Sequence, residues 1–533
     1  MPILTVKLSG KNRHITFMSG RSVRDVLDEA DIRIRTGCNG TGACGLCRIR
    51  IAGGNVDEPS MNELASLGTG LLSHGVRLAC EVKADHDLQI EILNPAPTSV
   101  WRYLNEGAST AYFPSTSRIP YTRFREPLGV AIDLGTTHIS ITLLDLIAGR
   151  RLSGRRGPNP QVSSGSDVLT RLIAAKSVDQ AEKLSRQVIQ AIADGLRDIS
   201  CREGIDLQQV ARVVLVGNTA MLSLLTGNNY LRLLEPRYWT ESIDCLPAET
   251  NSWGASWGIN PGTTIEVIPP LAGFVGSDLL SGIVATRLME QEPGALLIDF
   301  GTNSEMVLWD GNNLWVTSAA GGPAFEGSGI SCGMSADPGA ICRVTVSDAS
   351  GELAFEVIAG VEAQGLCGSG LVDLLAFLVR NGTLNNKGQF APSVPEYGFP
   401  LCRNNREIVL TKKDIDMFQR AKAAVGVGVE VLLSKAGMGY HELRRIFIGG
   451  VFGQYLNVVN AQELGLLPSI SEQMIVTAGN TALSGCEALL FQPKAEDRLR
   501  EIRSRAVIVN LSNCTDFGTL FLEHLYLRQV AMV

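Results

Sequence analysis

Alternation of apolar and polar positions marks the first elements of the chain. Residues 2–8 and 13–18, within "MPILTVKLSGKNRHITFM", alternate and predict a hairpin. "SVRDVLDEADI" has a helical period instead, with Val23, Val26, Leu27 and Ala30 on one face. "CRIRIAGG" and "DLQIEIL" return to strand alternation. From residue 94 to residue 127 the periodicity stops. This stretch holds Pro95, Pro97, Pro114, Pro120 and Pro127 among scattered aromatics. It reads as a semi-rigid spacer lying on a surface, on which the N-terminal unit swings. Strand signals resume in "LGVAIDLGTTHISITLLDL", and far downstream "ALLIDFGTNSEMVLWDG" repeats the strand–turn–strand pattern, as an internal duplication does. "LTKKDIDMFQRAKAAVGVGVEVLLSKAG" opens on a capping box at Thr411 and Asp414 and continues as a long helix. The predicted divisions are 1–93, a linker at 94–127, 128–290 and 291–533.

A chain of 533 residues exceeds what one core holds, so several domains are expected. Its 45% hydrophobic and 19% charged residues are those of a globular protein. A formal charge of −7 and the lack of a basic run argue against nucleic acid as a partner. No apolar run reaches the roughly 18 residues of a membrane helix, and the start shows no signal-peptide core. No membrane partner is expected, and the cytoplasm is the expected location. That compartment disfavours structural disulfides.

The cysteines therefore need another reading. Cys38, Cys44 and Cys47 form C-x5-C-x2-C inside "TGCNGTGACGLC", and Cys80 follows in "VRLACEV". The eight others are scattered and read as small buried hydrophobes. Zinc ribbons offer two C-x2-C knuckles, and here there is one. A 2Fe–2S cluster fits better. Its sulfides need many backbone N–H donors, and a glycine-rich loop lets the backbone wrap inward. The spacing has one residue more than the plant-type C-x4-C-x2-C and is similar to that of adrenodoxin-like ferredoxins. With the flanking hairpin, helix and strands, residues 1–93 resemble a β-grasp ferredoxin.

The duplicated hairpins carry phosphate chemistry. Asp133 and Asp299 end apolar strands, where a carboxylate can hold a hydrated Mg2+ ion. Gly135 and Gly301 expose backbone N–H groups at tight turns, and Thr136, Thr137, Thr302 and Asn303 add donors. "VVLVGNTAM" and "MIVTAGNTAL" each set Gly-Asn-Thr-Ala after a strand. Asn218 is read as a cleft residue with Thr219, and Asn480 with Thr481 as a helix cap.

"LRRIFIGGVFGQYLN", with Gly449, Gly450 and Gly453, resembles the adenosine motif of the superfamily of actin, heat-shock chaperone ATPases, hexokinase and acetate kinase. "LWVTSAAGGPAFEGSGI" resembles that superfamily's second phosphate hairpin, which implies Gly321, Gly322 and catalytic Glu326 near the phosphates. The same analogy brings Lys422 to the adenosine, although it reads equally well as a solvated helix lysine. The implied fold is α+β and α/β: a β-grasp ferredoxin domain, then a two-lobed actin-like ATPase built from duplicated RNase H-like subdomains. In this order, "IDLGTT", "VGNTAM", "IDFGTN", "SAAGGPAFEG", "GLCGSGL" and "IFIGGVFG" behind a 2Fe–2S domain resemble the reductive activators of corrinoid proteins over nearly the whole chain. The resemblance implies that ATP hydrolysis drives an electron from the cluster to Co(II) of a partner's corrinoid, restoring Co(I) for methyl transfer. It further implies a low-potential electron donor and a homodimer. Two other classes compete: an activator of a radical dehydratase, whose cluster bridges two subunits, and a chaperone-like or small-molecule kinase with a redox sensor. The absence of clustered cysteines in the ATPase part counts against the first.

Overall fold

A computed structural model describes the chain apart from residues 1, 9–10, 31, 33, 35–41, 43–44, 96–99, 105–126, 166, 320, 322, 327–329, 347–352, 361, 403–407, 493–494 and 531–533. The N-terminal alternation folds as expected. Strands β1 (Ile3–Leu8), β2 (Lys11–Thr16), β3 (Arg48–Gly53), β4 (Val76–Leu78) and β5 (Leu88–Ile92) form one sheet in the order β2-β1-β5-β3-β4. β1 runs antiparallel to β2 and parallel to β5. Helix α1 (Val23–Glu29) starts at Ser22, whose hydroxyl accepts from the Asp25 amide, and its apolar face closes the core against Leu4, Val6, Ile49 and Leu88. Helix α2 (Met61–Ser73) is pinned by Glu63. This fully buried carboxylate takes two hydrogen bonds from Arg77, at 2.8 and 2.7 Å, and one from the Leu78 amide.

Two larger sheets follow that share one connectivity over five strands and differ in the sixth. Lobe I contains β6 (Arg102–Tyr103), β7 (Leu128–Leu134), β8 (His138–Asp145), β9 (Arg150–Pro158), β10 (Val210–Gly217) and β11 (Thr264–Val267), in the order β11-β10-β7-β8-β9-β6. Lobe II contains β12 (Ala295–Phe300), β13 (Ser304–Trp309), β14 (Leu314–Ala319), β15 (Arg445–Gly449), β16 (Ile475–Gly479) and β17 (Ala506–Ile508), in the order β16-β15-β12-β13-β14-β17. In each, the central strand opens an antiparallel meander on one side and meets a parallel strand on the other. The central strands are covered on both faces, which accounts for their nearly unbroken apolar sequences.

The helices that matter to the site are α3 (Val178–Glu203), α4 (Thr219–Thr226), α5 (Ser277–Thr286), α6 (Gly368–Arg380), α7 (Lys412–Ala436), α8 (Thr481–Phe491) and α9 (Phe517–His524). α5 and α8 cross at a core shared by both sheets, where Ala131 and Val214 of lobe I and Leu297 and Val307 of lobe II meet Leu279, Ile283, Leu483 and Leu489. The crossing is backbone to backbone, since a Cβ on Gly485 would fall 1.9 Å from the Ser281 carbonyl oxygen.

The segment expected to be a spacer begins differently. β6 pairs with β9, placing Tyr103 opposite Arg155. Trp101 is 2% exposed, in a slot that exists because residues 157 and 195 are glycines: a Cβ on either would come within 2.7 or 2.9 Å of the indole. Residues 101–104 therefore belong to lobe I, and Trp101 burial outweighs the proline signal around it. Trp101→Ala should lower the stability of lobe I by about 3–5 kcal/mol, the usual range for deleting a buried large side chain. Chemical denaturation followed by circular dichroism checks this, and an unchanged midpoint would mean that the segment is not seated.

Candidate functional site

The candidate cluster site lies where Cys47 enters β3 and Cys80 follows β4. Cys38 and Cys44 lie outside the described residues. Cys47 is buried, Cys80 is half-buried, and neither is in a disulfide. Their sulfurs are 3.4 Å apart. Two thiolates bound to one tetrahedral ion at about 2.3 Å sit roughly 3.7 Å from each other, so this pair fits a shared metal. The Ala79 amide donates to the Cys47 carbonyl at 2.8 Å and holds the two cysteine segments together. Gly42 and Gly45 have φ of +77° and +66°. The positive φ of Gly42 is a conformation that side chains rarely adopt, so this turn of the loop favours glycine.

The second site is a cleft between the lobes. Asp133, Gly135, Thr136 and Thr137 enter from the β7–β8 turn; Asp299, Gly301, Thr302 and Asn303 enter from the β12–β13 turn. Asn218, Gly368 and Ser369 at helix starts, Gly450, and the apolar Phe300, Phe325 and Phe452 complete the lining used here. α6 points its N-terminus at this space, an arrangement suited to anions.

Asn480 and Thr481 do more than cap α8. Asn480 Oδ1 accepts from the Leu483 amide, as a cap does, while its Nδ2 donates to Asp133 Oδ2 at 2.8 Å. The Thr481 hydroxyl donates to Asp299 Oδ2 at 2.9 Å. Two consecutive residues thus touch one aspartate from each lobe. The first Gly-Asn-Thr-Ala copy is related: Asn218 caps α4 and donates to the Thr136 hydroxyl at 2.7 Å. Thr219 instead faces inward and donates to the Ala272 carbonyl.

Two further carboxylates enter that the sequence reading passed over. Asp278 stands in the first turn of α5, and Glu305 on β13 is register partner of Asp299. Burial, with the Asp299 charge behind it, pushes Asp133 up to about 6 against the hydrogen bond from Asn480. Burial and then the Asp133 charge raise Asp278; burial and then Asp278 raise Glu305 well above the usual range. This crowding suits a site that receives a divalent cation. Arg156 donates to His138 Nδ1 at 3.0 Å; burial and this arginine hold the imidazole neutral, down at about 4.

The remaining expected residues separate. Gly450 lines the cleft with φ +85°, and Gly449 sits beside Asp299, where a Cβ would come within 3.0 Å of the carboxylate. Gly321 rests against Ala421 of α7. Gly322 and the Glu326 side chain lie outside what is described. Lys422 is not brought to the cleft. The residue is 1% exposed, and its ammonium donates to the carbonyls of His524 and Tyr526 at 2.5 and 2.9 Å and anchors the C-terminal segment. Burial, then Arg528, pulls it down to about 7. The helix period alone does not distinguish this inward face from a solvated one.

Comparisons with known proteins give three family matches in chain order: a 2Fe-2S iron-sulfur cluster binding domain over residues 6–85, the RACo middle region over 128–291, and the C-terminal domain of RACo, the ASKHA domain, over 294–533. The corrinoid activation enzyme RamQ of Eubacterium limosum is 31% identical over 399 residues, 70% of this chain and 66% of that protein, just under two thirds of its length. The [Co(II) methylated amine-specific corrinoid protein] reductase of Methanosarcina barkeri is 28% identical over 427 residues, 73% of this chain and 74% of its own. Among solved structures, a reductive activator for corrinoid, iron-sulfur protein superposes with a TM-score of 0.69 at 27% identity, covering 99% of this chain and 98% of that one. With an iron–sulfur domain ahead of both RACo regions in a single fold, the chain belongs to the RACo family of reductive activators of corrinoid proteins.

Proposed function

We propose that the protein uses ATP hydrolysis to drive one electron onto the Co(II) corrinoid of a partner protein, giving the Co(I) form that methyltransferases use. One observation carries this reading: a single chain holds the converging thiols of Cys47 and Cys80 together with a cleft in which Asn480 and Thr481 touch one aspartate from each lobe. Cys38, Cys44, Cys47 and Cys80 would hold a 2Fe–2S cluster, which supplies one-electron chemistry near −400 mV when it is of the plant type. Corrinoid Co(II)/Co(I) couples lie lower, so the transfer is uphill, and each 59 mV of mismatch is a factor of ten. ATP changes this only by favouring a state in which the gap is smaller. Asp133 and Asp299 would hold Mg2+ with the ATP phosphates, which relieves their mutual repulsion. The turn residues Gly135, Thr136, Thr137, Gly301, Thr302 and Asn303 would donate to phosphate oxygens, and the family resemblance assigns Glu326 a catalytic role beside them. Asn480 and Thr481 transmit any change at either aspartate into α8, and from there into both lobes. A low-potential one-electron carrier serves as donor to a homodimer. The dehydratase and kinase readings lose ground because the long relatives are named for corrinoid proteins.

Asp133 gives a test with opposite signs for stability and activity. Its folded pKa is raised from 3.8 to about 6, so the folded state holds the proton more tightly. Stability is lost as pH rises through this window, and the full penalty is present above it. The carboxylate is partly reachable by water, which moderates the effect. Asp133→Asn should therefore stabilise the nucleotide-free protein by about 1–2 kcal/mol at pH 8 and leave it unchanged near pH 3.5. ATP turnover should fall by several kcal/mol of barrier with the cluster spectrum intact. Normal turnover in the variant removes Asp133 from the site.

The coupled reaction is read by anaerobic visible spectroscopy with each component omitted in turn. Reductant, ATP and a Co(II) corrinoid protein together should give the Co(I) spectrum. Omission of ATP should leave most Co(II) in place, and omission of reductant should leave all of it. Equal Co(I) yields with and without ATP, across several corrinoid partners, would end the proposal.

A further inference from the structure

The N-terminal domain is joined to lobe I by a buried ladder of alternating charges. From α1 come Arg24 and Asp28; from the C-terminal end of α3 come Arg202 and Glu203; behind them stand Arg155 on β9 and Asp198. Arg24 pairs with Asp28 at 3.4 Å in its own domain and with Glu203 at 3.5 Å across the interface. Arg202 pairs with Asp28, and its Nε donates to the Ile34 carbonyl at 3.3 Å, just before the cysteine loop. Arg155 completes the ladder with Glu203 at 3.1 Å and Asp198 at 2.6 Å. Arg24, Asp28, Arg202 and Glu203 are all at most 7% exposed. Tyr103 lies beneath the guanidinium groups of Arg155 and Arg202, at 5.6 and 6.0 Å.

The backbone that carries Arg24 is tied to the cysteine segments. The Arg24 amide donates to the Ala79 carbonyl at 2.8 Å, and the Ala79 amide donates to the Cys47 carbonyl at 2.8 Å, with Cys80 the next residue. Burial opposes the charge of Arg24, but Glu203, then Tyr103, Cys47 and Cys80, hold it as a cation. Burial likewise opposes the Glu203 carboxylate, and Arg24, Arg155 and Arg202 keep it ionised. Arg202 is pulled down to about 10 by burial and remains a cation at neutral pH.

We propose that Arg202 and Glu203 of lobe I are positioning residues that clamp the cluster domain and set the reduction potential of the cluster from the neighbouring domain. The proposal rests on the reading that Cys38, Cys44, Cys47 and Cys80 bind a one-electron cluster. The reduced cluster carries one more negative charge than the oxidised one. A fixed cation nearby favours reduction and a fixed anion opposes it, and in a buried interface neither is screened as it would be in water. Buried ion pairs add little net stability, because desolvation offsets their attraction, but they strongly disfavour any docking that leaves one charge unpaired. The ladder therefore selects one seating of the cluster domain, and that seating fixes its electrostatic surroundings.

The test is a redox titration of the full-length holoprotein followed by electron paramagnetic resonance, with Glu203→Gln, Arg202→Gln and Arg202→Lys. Glu203→Gln should raise the reduced-to-oxidised ratio at a fixed poise by up to about tenfold, which is about 59 mV for one electron. Arg202→Gln should lower it by a similar factor, and Arg202→Lys should return most of the way to the parent. If Glu203→Gln fails to load iron, the Arg202 pair still decides, because the sign must follow the charge. Three midpoints equal to the parent's would mean that the domain is not clamped. Equal shifts for Arg202→Gln and Arg202→Lys, or one common direction for both glutamine variants, would mean a loosened interface without charge control; either result overturns the proposal. A parent protein without a reducible cluster signal would instead overturn the reading beneath it.

Discussion

Everything in the ATPase half depends on how closely α5 and α8 cross. Gly485 lets the two backbones meet at Ser281, and no side chain fits there. The crossing angle and depth place the N-termini of both helices at one point between the sheets. Asp278 arrives from one helix, Asn480 and Thr481 from the other. The two hairpin aspartates then find partners on α8, although they belong to separate sheets. Were the helices farther apart, the cleft would lose the bridge that makes two half-sites one.

The cleft is assembled against its own electrostatics. Asp133, Asp278, Asp299 and Glu305 crowd the cleft, and burial with their mutual charge raises three of them. The fold tolerates this because its hydrophobic sheets are large and because the α8 residues give hydrogen bonds to two of the carboxylates. A site loaded in this way favours whatever neutralises it. The aspartates thus make the stability of the cleft depend on one quantity, the local charge.

Much of this was legible in the sequence, where the signal was local. The hairpin at the start, the glycines around the cysteines and the two Asp-x-Gly-Thr turns follow from period and turn chemistry within a few residues. What was hidden depended on partners far along the chain. Asn480 and Thr481 read as a cap and are a cap; their second role needs the helix crossing. Asp278 sits in "VGSDLL", which looks like any helix start. Glu305 looks like an outward position of an alternating strand, but β13 is covered on both faces. Lys422 carries the same difficulty in reverse, because its carbonyl partners lie about a hundred residues away. Trp101 was masked by the prolines around it.

The seat of Trp101 also limits how far the cluster domain could move were the charge ladder to open. The last residue packed against the core of that domain is Leu93, and eight peptide links separate it from the anchored indole. Even fully extended, they span no more than about 28 Å. Electron transfer between proteins needs close approach, so a corrinoid carrier docked on the far side of the two-lobed body is out of reach of this tether. On the proposed function, an acceptor within reach of this tether docks on the side of lobe I where the domain is seated.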